Sequence, residues 1–232
     1  MMHLFRLGIR LLALLLCGAA LSAAAAGEVR SRDKLWDIVN TCLGPEDAEY
    51  CLRCAAPRAG NACSSRPRCE ETTEVWAQTP EFVAIRDIKM CSCPAGFVHG
   101  LALPRIQVRG VEAPQRPDGI WAFAWAAARE RIGDDASIAL VVNSARLRTQ
   151  DQLHVHLVRL HGDARQRFSG RTASVPSLDE VWATATRLAS EQPVLVDYGV
   201  LVAGDQKGGY AVLIDSADKS LERSYTQRIC AR

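Results

Sequence analysis

The sequence predicts an α+β domain, an antiparallel sheet with helices packed on it, carrying a disulfide-stapled, cysteine-rich insertion. Three observations predict this. Apolar runs at 194–203 and 210–214 flank Gly204-Asp205-Gln206-Lys207-Gly208-Gly209, a hairpin signal. The helical patterns at 120–131 and 178–190 stand apart from the strand runs rather than alternating with them, so crossover βαβ units are not indicated. Cys42, Cys51, Cys54, Cys63 and Cys69 crowd a stretch with Gly44, Pro45, Pro57, Gly60 and Pro67, too poor in apolar residues to bury a core of its own. With 232 residues, 48% hydrophobic and 23% charged, the composition excludes a disordered chain, a fibrous repeat and a multi-span membrane protein.

Residues 1–26 read as a leader. Arg6 and Arg10 form a basic start, Leu11 to Leu16 an apolar core, and Ala23 to Ala26 offer small-residue cleavage sites. The apolar stretch 11–26 falls just short of the ~17–25 residues that span a bilayer, so the segment is either a cleaved export signal or an N-terminal anchor. Cys17 follows Leu14-Leu15-Leu16, a poor context for lipidation, which needs small residues before the cysteine. Two of the 28 Lys and Arg lie in this leader, and the remaining 26 balance the 26 Asp and Glu. Nothing in that balance suggests a nucleic-acid binder.

Of nine cysteines, eight follow the leader: Cys42, Cys51, Cys54, Cys63, Cys69, Cys91, Cys93 and Cys230. In an exported chain an even number reads as a disulfide framework of open connectivity. Cys51-x2-Cys54 with Cys63 and Cys69 nearby also resembles zinc-ligand spacing.

Asp33 to Cys42 predicts a short helix with Leu35, Ile38 and Val39 on one face. Phe82 to Asp87 predicts a strand, Phe97 to Leu103 its neighbour ended by Pro104, and Ile106 to Val108 the start of a third. Asp118-Gly119 opens a helix over 120–131, where Trp121 and Trp125 pack on the sheet. Ser137 to Val142 reads as a central strand and Leu153 to Leu160 as another. Ser177 caps a helix over 178–190, with Asp179 and Glu180 in its first turn.

The chemistry concentrates in Arg148-Thr149-Gln150-Asp151-Gln152-Leu153-His154-Val155-His156-Leu157. Side chains alternate along a strand, so Leu153, Val155 and Leu157 share one face and Gln152, His154 and His156 the other, roughly 6.5–7 Å apart. Such a row reads as a solvated edge, as a chelating pair that needs a third ligand, or as a nucleophilic histidine with a donor beside it. No acidic residue shares this face nearby in sequence.

The segment resembles the histidine-triad (HIT) superfamily, whose signature is His-φ-His-φ-His-φ-φ at a strand end. More closely, the chain resembles the bacterial CDP-diacylglycerol pyrophosphatase family. The resemblance runs through Phe82 to Ile88, Leu101-Ala102-Leu103-Pro104, Gly110-Val111-Glu112-Ala113-Pro114, the Trp121/Trp125 helix, Val142-Asn143-Ser144 and Arg148-Thr149-Gln150 to His154-Val155-His156. It departs at Gln152, where the family has its first triad histidine, and in the tract 144–150, which lacks one arginine and a glycine of the family pattern.

The resemblance implies a HIT-like catalytic domain over 82–232, preceded by the leader and by an N-terminal helix with the cysteine-rich insertion over 27–81. It implies hydrolysis of CDP-diacylglycerol to CMP and phosphatidate without metal or other cofactor. His154 would be the nucleophile and His156 a phosphate contact. Gln152, Gln150 and Asn143 would bind substrate, and Arg148 and Thr149 would contact the diphosphate. The implied setting is the membrane surface on the periplasmic side of a bacterial inner membrane, or the periplasm if the leader is cleaved. Two alternatives stay open: hydrolysis of another nucleoside diphosphate conjugate, and a non-catalytic envelope protein with a decayed triad.

Overall fold

Short β-branched and leucine-rich runs, most of them buried on both faces, build the sheet that frames everything else. The computed structural model describes residues 32–43, 74–90, 93–94 and 96–230. The leader and the segment holding Cys51, Cys54, Cys63 and Cys69 lie outside the described residues, as does Cys91. The described residues fall within one compact unit. Eight strands are described: β1 (Val75–Gln78), β2 (Phe82–Arg86), β3 (His99–Pro104), β4 (Ile138–Val142), β5 (Val155–Arg159), β6 (Arg171–Val175), β7 (Tyr198–Gly204) and β8 (Tyr210–Ser216). They join in one sheet of order β1-β2-β3-β5-β4-β7-β8-β6, with every neighbouring pair antiparallel.

Helices α2 (Ile120–Ile132) and α3 (Val181–Ser190) cover one face, burying Leu153, Val155 and Leu157 with Ala102, Leu140, Val200 and Val212. Trp121 is fully buried against Trp182, with ring centroids 4.7 Å apart, and Trp125 meets Tyr210 at 4.9 Å. Gly133, at φ 74°, closes α2 by donating its N–H to the Arg129 carbonyl. Ser177 caps the 3-10 turn that enters α3, accepting from the Asp179 N–H. On β3, a Cβ at Gly100 would lie 2.1 Å from the Trp76 ring, so only glycine admits the indole there.

The opposite face carries two apolar patches. Val39 and Leu43, from helix α1 (Lys34–Asp37) and the π-turn Ile38–Cys42 that continues it, cover Val75, Val83, Ile85, Leu101 and Leu103. Leu221 and Tyr225 of α4 (Leu221–Tyr225) cover Ala139, Val141, Val158, Leu160 and Leu201. A disulfide between Cys93 and Cys230 ties the segment after α4 to the β2–β3 connection.

Several sequence expectations change. The sheet begins at Val75, inside the stretch assigned to the insertion, because β1 pairs with β2. Ile106 to Val108 form no strand. Pro104 ends β3, and the loop after it is held by the Gln152 side chain, leaving a single bridge between Arg109 and Gln152. β7 begins at Tyr198, because the Asp197 carboxylate turns away to accept from the N–H groups of Ala145 (2.8 Å) and Arg146 (3.1 Å). β6 and α4 were not foreseen, since the alternating polar positions of 171–175 and the short 221–225 helix carry little periodic signal.

Candidate functional site

Strand parity places a polar strip between the two apolar patches. Along β2 the series Val83, Ile85 ends in Asp87, and along β3 Leu103, Leu101 ends in His99. Along β4 Ala139, Val141 is followed by Asn143, and along β5 Val158 is preceded by His156 and His154. Each series changes from apolar to polar at the seam. Opposite pairings of Leu101 and of Val141 with His156 set the register.

His154 sits just before β5 and is almost wholly buried. Its Nδ1–H donates to the Gln152 carbonyl at 2.7 Å, which fixes the tautomer and leaves a lone pair on Nε2. That nitrogen has no hydrogen-bond partner among the described residues. Burial pushes the imidazole below its usual range, partly offset by the bond to the carbonyl, so the ring stays neutral and nucleophilic at neutral pH. The acid limb of a His154-dependent pH–rate profile is therefore expected below pH 6.5, the ordinary histidine value. Loss of activity beginning at or above pH 7 on acidification would contradict it.

His156 lies edge-on to His154, with centroids 4.9 Å apart. Its Nε2 is 3.1 Å from Asn143 Nδ2, and the same amide nitrogen donates to Glu222 Oε2 at 3.0 Å. Glu222 Oε1 accepts from Lys89 Nζ (2.9 Å) and from His99 Nε2 (3.0 Å), while His99 Nδ1 stands 3.2 Å from Asp87. Burial pushes His156 well below the ordinary value against the pull of Glu222. The Glu222 carboxyl is held below the carboxylate range although burial opposes its charge, because histidine, lysine and amide partners surround it. Asp87 is lowered likewise, with His99 and Lys89 outweighing its burial.

The structure thus brings together three of the seven sequence candidates: His154, His156 and Asn143. Gln152 borders them, but its amide is spent, a correction to its reading as a substrate group on a wet face. Oε1 accepts from the Val108 N–H (3.2 Å), and Nε2 donates to the carbonyls of Pro104 (3.1 Å) and Ile106 (2.8 Å). Arg148 is buried with its guanidinium forked onto Glu112, so it is not free to clamp a diphosphate. A Cβ at Gly110, whose φ is 59°, would clash with that guanidinium. Gln150 accepts from the Leu35 N–H at 3.0 Å and so anchors the N-terminal helix, while Thr149 is exposed. His156 faces the Asn143–Glu222 network rather than open solvent. His99, left by the sequence without a motif, is fully buried beside it.

Gln152→Ala is expected to cost about 2–4 kcal/mol, because three backbone groups, two of them in buried bonds, lose their partner. Gln152→His also destabilises, since an imidazole cannot replace two donors and an acceptor in that geometry. Urea denaturation checks both, and wild-type stability in either variant would refute the staple.

Acidic groups absent from the local sequence do reach the histidines in space. Asp87, His99 and His156 each offer an atom within 4.8 Å of the other two, a donor set that suits a transition metal. Glu222, His99, Lys89 and Asp87 were missed as site residues because they come from distant strands and from α4.

A family model described as CDP-diacylglycerol pyrophosphatase matches residues 30–197. The chain belongs to the CDP-diacylglycerol pyrophosphatase family. A relative of that name from Yersinia pestis is 32% identical over 99 residues, covering 34% of this chain. The match spans 38% of that relative's length. His154, His156, Asn143 and His99 fall inside the residues matched to the CDP-diacylglycerol pyrophosphatase family, whereas Glu222 and Cys230 lie beyond them.

Proposed function

We propose that this chain hydrolyses the diphosphate bond of CDP-diacylglycerol, releasing CMP and phosphatidate through a cytidylyl-histidine on His154, within a HIT-like fold. The observation that carries the reading is the His154 tautomer: Nδ1–H is committed to the Gln152 carbonyl and Nε2 is available as a nucleophile. Nε2 attacks the phosphorus attached to cytidine, and a P–N bond forms. The bridging P–O bond breaks, with phosphatidate taking the electron pair. Water then attacks the same phosphorus and gives up one proton to the solvent; the P–N bond breaks with its electron pair returning to Nε2, and His154 regains its neutral Nδ1–H form as CMP departs. Family membership supports the substrate.

The decisive experiment incubates purified protein with CDP-diacylglycerol labelled at the cytidine-linked phosphorus. CMP release with an acid-labile, alkali-stable label on the protein supports the whole reading. CMP release without any label refutes the covalent step. Turnover confined to other nucleoside diphosphate conjugates would move the substrate, and inertness toward all of them would favour a decayed triad.

The Asp87–His99–His156 donor set favours a second reading, metal-assisted hydrolysis. Activity that falls on chelation and returns with zinc or manganese would select it. The exported location at the periplasmic membrane surface belongs to the same proposal. It is supported by the leucine-rich leader and by the Cys93–Cys230 disulfide, a bond of oxidising compartments.

A further inference from the structure

We infer that Glu222 is a positioning residue that acts through Asn143 to fix His156 in one neutral tautomer, with its proton on Nδ1. The tautomer holds whatever phosphate ester the site cleaves, while its consequence for turnover rests on the His154 reading above.

The argument is one of donors and acceptors. One end of the Asn143 amide touches both Glu222 Oε2 (3.0 Å) and His156 Nε2 (3.1 Å). Were that end the amide oxygen, an acceptor would face a carboxylate, which only accepts. The nitrogen end therefore faces Glu222, and its two hydrogens go one to the carboxylate and one to the imidazole. His156 Nε2 must then accept, and a neutral ring carries its proton on Nδ1. A doubly protonated ring would set an Nε2 hydrogen against the amide hydrogen, so the same contact requires the neutral form. Glu222 itself does not hydrogen-bond His156, its oxygen lying 3.9 Å from Nε2, so its influence passes through the amide.

The carboxylate is held in place from several sides. Lys89 Nζ and His99 Nε2 both reach Oε1, and Arg228 lies 3.9 Å from it. Ser220 caps α4 by accepting from the Arg223 N–H, and Leu221 and Tyr225 bury the helix against the sheet. His161 N–H bonds the Tyr225 carbonyl, and Gln227 N–H bonds that of Arg159. The consequence is orientation: a ring with a fixed tautomer and fixed partner stands 4.9 Å from His154.

The test is nitrogen NMR of histidine-labelled protein at neutral pH, where two-bond couplings distinguish protonated from bare ring nitrogens. Wild-type His156 is expected to show a protonated Nδ1 and a bare Nε2. Glu222→Gln, which can present its own amide to the Asn143 oxygen, is expected to release the flip and move His156 toward the Nε2–H form. His154 keeps its Nδ1–H signal in both proteins. In the same variant kcat should fall roughly tenfold to a hundredfold with KM little changed, the scale of a ~1 Å misplacement. Glu222→Asp should recover part of kcat. If Glu222→Gln fails to fold, Asn143→Ala removes the bridge and should abolish the single tautomer. The inference is overturned if wild-type His156 carries its proton on Nε2 or on both nitrogens, or if its pattern survives the loss of Glu222 or Asn143. A tautomer that shifts as expected in a protein that does not cleave CDP-diacylglycerol would leave the inference standing and refute the substrate.

Discussion

His154→Ala is expected to abolish CMP release, with a fall in rate on the order of 10⁴ or more, the scale seen when a nucleophile is removed from a covalent mechanism. Among the described residues no other imidazole at the seam offers a free nitrogen in its place. His156 Nε2 is engaged by Asn143, and the Nδ1 atoms of His156 and His99 are buried. The folded state loses one hydrogen bond, from Nδ1 to the Gln152 carbonyl, worth about 1 kcal/mol, so the melting temperature should drop by only about 2–4 °C. His154→Gln retains a donor near that carbonyl and should be equally inactive but more stable. Turnover within tenfold of wild type in either variant would rule out His154 as the nucleophile.

The second large effect concerns the disulfide. Cys93 and Cys230 are separated by 137 residues, and the chain-entropy argument gives a bond closing so long a loop about 5 kcal/mol of stabilisation, at the upper end of the ~2–5 measured for native disulfides. The bond also reaches the site. Cys93 Sγ lies 3.3 Å from the Lys89 carbonyl, and the Lys89 ammonium is bound to Glu222. The double variant Cys93→Ser, Cys230→Ser should lose 2–5 kcal/mol in denaturant titrations. Turnover should fall as well, because Lys89 and Glu222 are no longer held together. Unchanged stability and unchanged rate would show that packing alone seats α4.

The histidine row was legible because strand alternation is a local rule. Leu153, Val155 and Leu157 do enter the core beneath α2, while His154 and His156 point the other way. The antiparallel architecture was legible for a similar reason, since the hairpin between β7 and β8 needs only its turn and its two apolar runs. What failed were the destinations of polar side chains. Arg148 and Gln150 carry groups suited to phosphate, yet Glu112 and the Leu35 N–H occupy them, partners 36 and 115 positions away. Asp87 and His99 did leave a trace, each being the polar end of an alternating apolar series. Glu222 left none: its importance comes from where α4 docks, and a five-residue helix does not announce that.

The two covers on the histidine-bearing face give the site an order of assembly. One cover comes from residues 34–43 and the other from 221–225, and the polar strip is the gap between them. Contacts of such separation close late and slowly, because the loop entropy is lost before the packing repays it. A chain that has formed its hairpins but not docked both covers would have a sheet and a His154 without Lys89 and Glu222 in place. Catalytic competence should then lag behind the recovery of secondary structure during refolding. Turnover would serve as a report on completion of the tertiary fold rather than on the formation of the sheet.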